Sequence, residues 1–413
     1  MTCFQPFKAL RPYPEFAQQV LCPPYDVIST EEARRLAAEH PRSFLHVIRS
    51  EVDLPGADPY SDEVYRKAAE NLAALEHEGI YFTEKESIYY IYSQTQNGRT
   101  QTGIVGCASI DDYENGTIKK HEITRTEKEL DRIRHFDTCS ADTEPVFFFF
   151  RNDAGISGIM QDITRSGMPA YDVTDCEGVR HRLWPVYDRN ICEKLRVLFD
   201  RLPGMYIADG HHRTASAARV GEKRRAAAPD YDGSEEFNRF MAVAFPADQL
   251  KVFGYHRLVR DLNGLSEDTF LQKISEICSV QKITGADPVP AAGHTCSMYL
   301  GKTWYRLSFE GSILHPDDPV ASLDVALLQD LILAPLLGIE DPRTDPRIRF
   351  AGGTKGTDFL KNCVDSGEMA TAFAMYPVSL EEIMKVADAG LVMPPKSTWF
   401  EPKLGSGLFV HRF

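Results

Sequence analysis

The segment Met205-Tyr206-Ile207-Ala208-Asp209-Gly210-His211-His212-Arg213-Thr214-Ala215-Ser216-Ala217-Ala218 constrains the fold more than any other stretch of the chain. Its apolar, strand-like start runs into an Asp-Gly turn, and an Ala-rich helix over about 213–228 follows. A strand that enters a helix through a glycine turn builds an anion site. The first amides of a helix have no partner within it, the helix dipole adds partial positive charge there, and glycine lets a ligand approach the backbone. Arg213 brings a planar fork matched to phosphate oxygens, and His211 and His212 can donate hydrogen bonds or move protons near neutral pH. Asp209 could alternatively be a plain helix cap, with the two histidines as filler. Adjacent helix residues point about 100° apart, so the histidines are poorly placed to chelate one ion together.

Around this segment the chain mixes strands and helices without strict alternation, which predicts an α+β (mixed α/β) fold. Ser29 or Thr30 caps a helix with acids in its first turn (31–38), and a second helix covers 61–79. Strands 87–93 and 100–109 form a hairpin through Asn97-Gly98. Further strands are expected at 145–150, 171–187 (a hairpin), 205–208, 237–245, 251–258, 295–309, 347–350 and 372–375. Helices are expected near 123–134, 188–201, 267–278, 322–337, 355–366 and 379–389. The pattern changes near residue 263, so the expected division is a catalytic region over 1–262 with an N-terminal elaboration, and an α+β region over 263–413 whose tail returns to the active site.

Composition narrows the partners. With 413 residues and 43 % hydrophobic content the chain can bury a large core. Its net charge of −14 disfavours nucleic acid as a partner. No apolar run approaches a membrane span, and the N-terminus lacks the features of a signal peptide, so no membrane and a cytoplasmic location are expected. The nine cysteines are scattered without CxxC pairs or zinc-like spacing, as free thiols would be.

Three further constellations carry candidate chemistry. In Lys119-Lys120-His121-Glu122 and the following helix, Lys120, His121 and Arg132 are candidates for phosphate contact. Glu122 is a candidate base or magnesium ligand. Lys128, Arg132 and His135 fall on one helix face and form a basic stripe able to face triphosphate oxygens. In Pro23-Pro24-Tyr25-Asp26 the prolines stiffen a loop that can hold Asp26 against a substrate amine or metal. Near the C-terminus, Lys396, Ser397 and Thr398 suit contact with an anionic substrate, and Trp399 or Phe400 can stack on a base. Gly352-Gly353-Thr354-Lys355-Gly356-Thr357 has the composition of a P-loop without its spacing and is read as a turn before a helix.

Gly210-His211-His212-Arg213 resembles the phosphate-binding box of the ParB/sulfiredoxin superfamily. Partition proteins carry a Gly-acid-Arg-Arg form, sulfiredoxins a Gly-Cys-His-Arg form, and archaeal free serine kinases the Asp-Gly-His-His-Arg form found here. His211 stands where sulfiredoxins have cysteine, so their thiol chemistry is not expected. Over nearly its whole length the chain is similar to the domain-of-unknown-function 1015 family. The matching segments are Cys22 to Ile28, Lys120-His121-Glu122, Thr143 to Phe147, Ile207 to Arg213 and Met393 to Phe400.

The serine kinase resemblance implies a ParB/sulfiredoxin-like phosphate-binding core with α+β elaborations, and phosphorylation of free L-serine to O-phosphoserine by ATP or ADP with Mg2+. In that reading Gly210, His211, His212, Arg213, Thr214, Lys120, His121 and Arg132 meet the nucleotide. Asp26, Lys396, Ser397 and Thr398 meet the amino acid, and Asp209 and Glu122 hold the metal. Asp209, His211, His212, Arg213 and Glu122 share the catalysis. A nucleotide-binding regulatory protein and a phosphoester hydrolase are the alternatives.

Overall fold

The computed structural model describes residues 2–285 and 287–413 and shows a mixed α+β fold. The chain divides into two compact units, Met1–Lys120 with Thr124–Leu250 and Pro402–Phe413, and His121–Ile123 with Lys251–Glu401.

The first unit is built on a nine-stranded sheet. Its strands run in the order Ile118–Lys119, Met205–Asp209, Val146–Phe150, Arg239–Pro246, Arg99–Ser109, Tyr89–Gln96, Arg180–Val186 and Tyr171–Thr174, with Phe4–Gln5 paired to 99–109. Two pairs are parallel, 205–209 with 118–119 and 146–150 with 239–246. The expected hairpin pairs Tyr90 with Val105 through Gln96 with Arg99. Asn97 and Gly98 take φ of 50° and 78°, the two left-handed positions that a tight two-residue hairpin turn requires. Strand 146–150 is buried on both faces, with Phe147 to Phe150 at most 1 % exposed, which explains its unbroken apolar run.

Three helices stack beside this sheet: Asp62–His77, Thr126–Cys139 and His211–Ala227, with the second packed against both others. Small buried residues (Ala215, Ser216, Ala217, Ala218) let the third approach closely, and Ser216 Oγ donates to the Glu129 carbonyl at 3.0 Å. Helix Thr30–Glu39 carries a full capping box between Ser29 and Glu32. Cation–carboxylate contacts pin the C-terminal segment: strand His411–Arg412 pairs with Ala141–Asp142, and the buried His411 ring bridges Asp142 at 2.9 Å and Glu236 at 3.0 Å.

The second unit holds a six-stranded antiparallel sheet in the order Ser279–Lys282, Thr303–Ser308, Thr295–Leu300, Thr371–Met375, Tyr255–Val259 and Ile348–Gly352. Leu258, Tyr299, Ala351, Ala372 and Ala374 pack with Leu360 and Cys363 of helix Gly356–Asp365 on one face. The single helix expected over 322–337 is instead an α-helix, Asp324–Leu328, that widens into a π-helical turn, Gln329–Leu333, just before Pro335. A proline there offers no N–H to a continuing helix. Among the described residues all nine cysteines are free thiols, and no helix is long and apolar enough to cross a membrane.

Candidate active site

Strand 205–209 ends in a register shift against 146–150, between Ile207 and Asp209. The bulge re-aims Asp209 as the chain leaves the sheet. Gly210 follows with φ of 92°, a conformation that strains any residue with a Cβ, and helix 211–227 begins at His211 with no side chain capping it. A 17-residue helix therefore starts from a glycine, which has no side chain to cap it.

Asp209 is held by two cations. Its Oδ1 accepts from Lys403 Nζ at 2.8 Å and its Oδ2 from Arg213 Nη2 at 2.9 Å. Burial pushes this carboxyl up, but Lys403 and Arg213 outweigh it and hold it down at about 2. Arg213 is 3 % exposed and also donates through Nη1 to the Pro145 carbonyl at 2.6 Å. Its guanidinium lies directly beneath Gly210, where an added Cβ would come within 3.1–3.2 Å of it. Arg213 thus ties the glycine turn to strand 146–150 from below. Thr214 is fully buried, and its hydroxyl donates back to the Gly210 carbonyl at 3.1 Å.

The two histidines differ. His211 is buried, and burial lowers its pKa to about 3, against the pull of Asp209 and with Lys120 and His212 adding to the drop. The ring is therefore neutral at pH 7. His212 is half-buried, and its Nε2 accepts from the Arg125 backbone N–H at 2.9 Å, which assigns that nitrogen as the unprotonated one.

A second layer lies behind Arg213. Glu144 is 1 % exposed, and its Oε1 accepts from the Tyr25 N–H at 3.0 Å and from Ser406 Oγ at 3.3 Å. Burial pushes the Glu144 carboxyl up, and Arg213 and Arg132 oppose that. Arg132 bonds Asp131, stacks 4.1 Å over the Tyr25 ring, and stands 3.8 Å from Glu144 Oε2. Asp26 is exposed and close enough for its charge to act on Arg213, Glu144 and Tyr25. The structure thus brings Asp26, Lys120, Arg132, Asp209, Gly210, His211, His212, Arg213 and Thr214 into one region of the first unit.

The basic stripe expected on helix 126–139 does not face outward. Arg132 and His135 are buried, and His135 Nε2 meets the Val47 carbonyl at 2.9 Å. Burial, reinforced by Arg132, lowers the His135 pKa to about 3. The helix packs through this face, so these residues serve the interior, although Arg132 Nη1 and His135 Nδ1 are buried there without a hydrogen-bond partner. The remaining candidates fall in the second unit: His121, Glu122, Lys396, Ser397 and Thr398. His121 Nε2 lies 3.3 Å from Thr398 Oγ1, and the Ser397 hydroxyl donates to the Pro394 carbonyl.

Both Asp209 oxygens already accept from cations, and among the described residues no three His, Cys, Asp or Glu side chains converge to hold an ion. Reading motifs missed Glu144 and Lys403 as members of the site. Glu144 stands in the Thr143 to Phe147 segment quoted above for its resemblance, but nothing local in the sequence tells that residues 403 and 209 meet.

With this geometry in view, the chain belongs to the family described as Protein of unknown function (DUF1015), whose model matches residues 4–326. The family expected from the sequence is therefore borne out. No curated protein matches the sequence. Among solved structures the chain is similar to a free serine kinase mutant in complex with AMP, at 13 % identity and a TM-score of 0.37, covering 74 % of this chain and 92 % of that one. It is also similar to a conserved hypothetical protein from Pyrococcus furiosus, at 13 % identity and a TM-score of 0.35, covering 75 % and 95 %. A third similar structure is SbnI with a C-terminal truncation from Staphylococcus aureus, at 11 % identity and a TM-score of 0.38, covering 74 % and 87 %.

Proposed function

We propose that this protein is a phosphotransferase that uses ATP or ADP to phosphorylate a small alcohol, with free L-serine as the acceptor. The observation that carries the reading is the start of helix 211–227: a left-handed glycine, no capping side chain, and a lysine and an arginine on the carboxylate that precedes it. This is a site for an anion held by backbone amides. The choice of serine rests on the Asp-Gly-His-His-Arg box.

In this reading the amides of the first helical turn hold the nucleotide's phosphates, and Lys120 and Lys403 add positive charge around them. Arg213 acts from beneath. It fixes the Gly210 turn against Pro145 and lends its charge through the turn. His211 is a neutral hydrogen-bonding group, because a ring with a pKa near 3 is too weak a base to take a hydroxyl proton. Asp209, held at about 2, is also a poor base and serves to place Lys403 and Arg213. The exposed Asp26 is the carboxylate left to meet the acceptor, as partner to its ammonium group or as acceptor of its hydroxyl proton. Magnesium would travel with the nucleotide, since among the described residues no three His, Cys, Asp or Glu side chains converge to hold it.

The test is a transfer assay with purified protein, ATP or ADP, magnesium and a mixture of free amino acids, read by mass spectrometry. Phosphoserine that depends on Gly210 and Asp26 is the expected result. Saturable nucleotide binding with no phosphorylated amino acid would replace this reading with that of a nucleotide-binding regulator.

A further inference from the structure

The second unit contains a buried cation that the reading above does not use. Arg257 sits in strand 255–259, paired with Phe350 on one side and Phe373 on the other, and is 3 % exposed. It donates through Nη1 to the Tyr255 carbonyl, and its guanidinium stands 5.4 Å from the centre of the Phe350 ring. Among the described residues no carboxylate pairs with it, and burial lowers its pKa to about 10, with only Tyr255 and Cys296 opposing. A buried guanidinium without a counter-charge is costly and is retained where something anionic meets it.

The surroundings favour a ligand. Tyr255 is two residues away on the same face of the strand, and its ring packs against Phe350 at 5.9 Å and Trp399 at 5.1 Å. Lys396 is exposed and places its ammonium 5.7 Å over the Tyr255 ring. Arg257 thus stands against the Phe350 ring and Lys396 against the adjoining Tyr255 ring, one cation buried and one exposed. Gly352 lies beneath the Trp399 indole, where any Cβ would come within 2.6 Å of the ring.

We propose that Arg257 and Lys396 form an oxyanion site in the second unit, taking a phosphate-bearing small molecule against the Tyr255–Phe350–Trp399 wall. Arg257 supplies the planar fork and Lys396 a mobile point charge at the entrance. The proposal does not depend on the transferase reading.

The experiment is calorimetric titration of the full chain with pyrophosphate at fixed ionic strength. Wild type is expected to bind at two sites, and Gly210→Val, which closes the turn in the first unit, at one. In the Gly210→Val background, Arg257→Met and Lys396→Ala should each weaken the remaining site at least tenfold. Arg257→Met alone should also raise the melting temperature of the ligand-free protein, by roughly 2–4 °C, because it removes an uncompensated buried charge. If the Gly210→Val chain does not fold, the change from two sites in wild type to one in Arg257→Met decides the matter. No pyrophosphate binding in Gly210→Val, binding unchanged by both second-unit substitutions, or a lowered melting temperature in Arg257→Met would each overturn the proposal.

Discussion

Asp209→Asn tests whether the charge pattern beneath the Gly210 turn is as described. Asn keeps the shape of a protonated Asp but cannot carry its charge. The folded chain holds the Asp209 carboxyl at about 2 rather than 3.8, a difference worth about 2 kcal/mol. Because the folded pKa is depressed, this stability is present above the unfolded pKa near 4 and is lost as pH falls through about 2. At pH 3 roughly half of it remains by the same linkage. The assay is urea unfolding of wild type and Asp209→Asn, following the transition of the first unit at pH 7 and pH 3. The stability difference should shrink by about 1 kcal/mol between the two. A difference that is equal at both pH values, or absent at pH 7, would refute the claim that Lys403 and Arg213 hold an ionised Asp209.

Other substitutions probe the same structure. His411→Gln leaves the 2 %-exposed Asp142 without its partner and should cost about 3 kcal/mol near pH 6. Burial alone would lower the His411 pKa, but Cys107, Asp142 and Glu236 raise it well above 6.5. The difference from wild type, measured by urea unfolding, should therefore be full below pH 6.5 and decline as pH rises through the raised folded value. Gly98→Ala places a Cβ in open space but at φ of 78°, so a backbone cost of about 1 kcal/mol is expected in the same assay. Glu144→Gln keeps the hydrogen bonds to Tyr25 and Ser406 but removes the charge facing Arg132 and Arg213. Transfer to the acceptor should fall at least tenfold while nucleotide affinity changes little, a split read from turnover and nucleotide titration.

Local signals announced themselves in the sequence and long-range ones did not. The Asn97-Gly98 hairpin, the Ser29 capping box and the strand–glycine–helix passage at 205–227 depend on neighbours in the chain, so residue type and spacing specify them. The helix expected over 322–337 failed locally, at its π-helical turn before Pro335. The Lys128–Arg132–His135 stripe misled because charge on a helix face normally means solvent. Here Arg132 and His135 are instead buried, Arg132 against Asp131 and Tyr25 and His135 against the Val47 carbonyl. Lys403 joins Asp209 across 194 residues, and Glu144 joins Tyr25 across 119. Such pairings follow from the order of strands in the sheet, which composition and periodicity do not encode.

The most direct test of the site is equilibrium titration of ADP into wild type and Gly210→Val, with folding of both verified by circular dichroism. A valine at φ of 92°, pressed against the Arg213 guanidinium, strains and displaces the turn from which helix 211–227 starts. Saturable binding in wild type that is weakened at least a hundredfold in the folded variant is the predicted result. Equal affinity in the two proteins would contradict an anion site at the Gly210 turn.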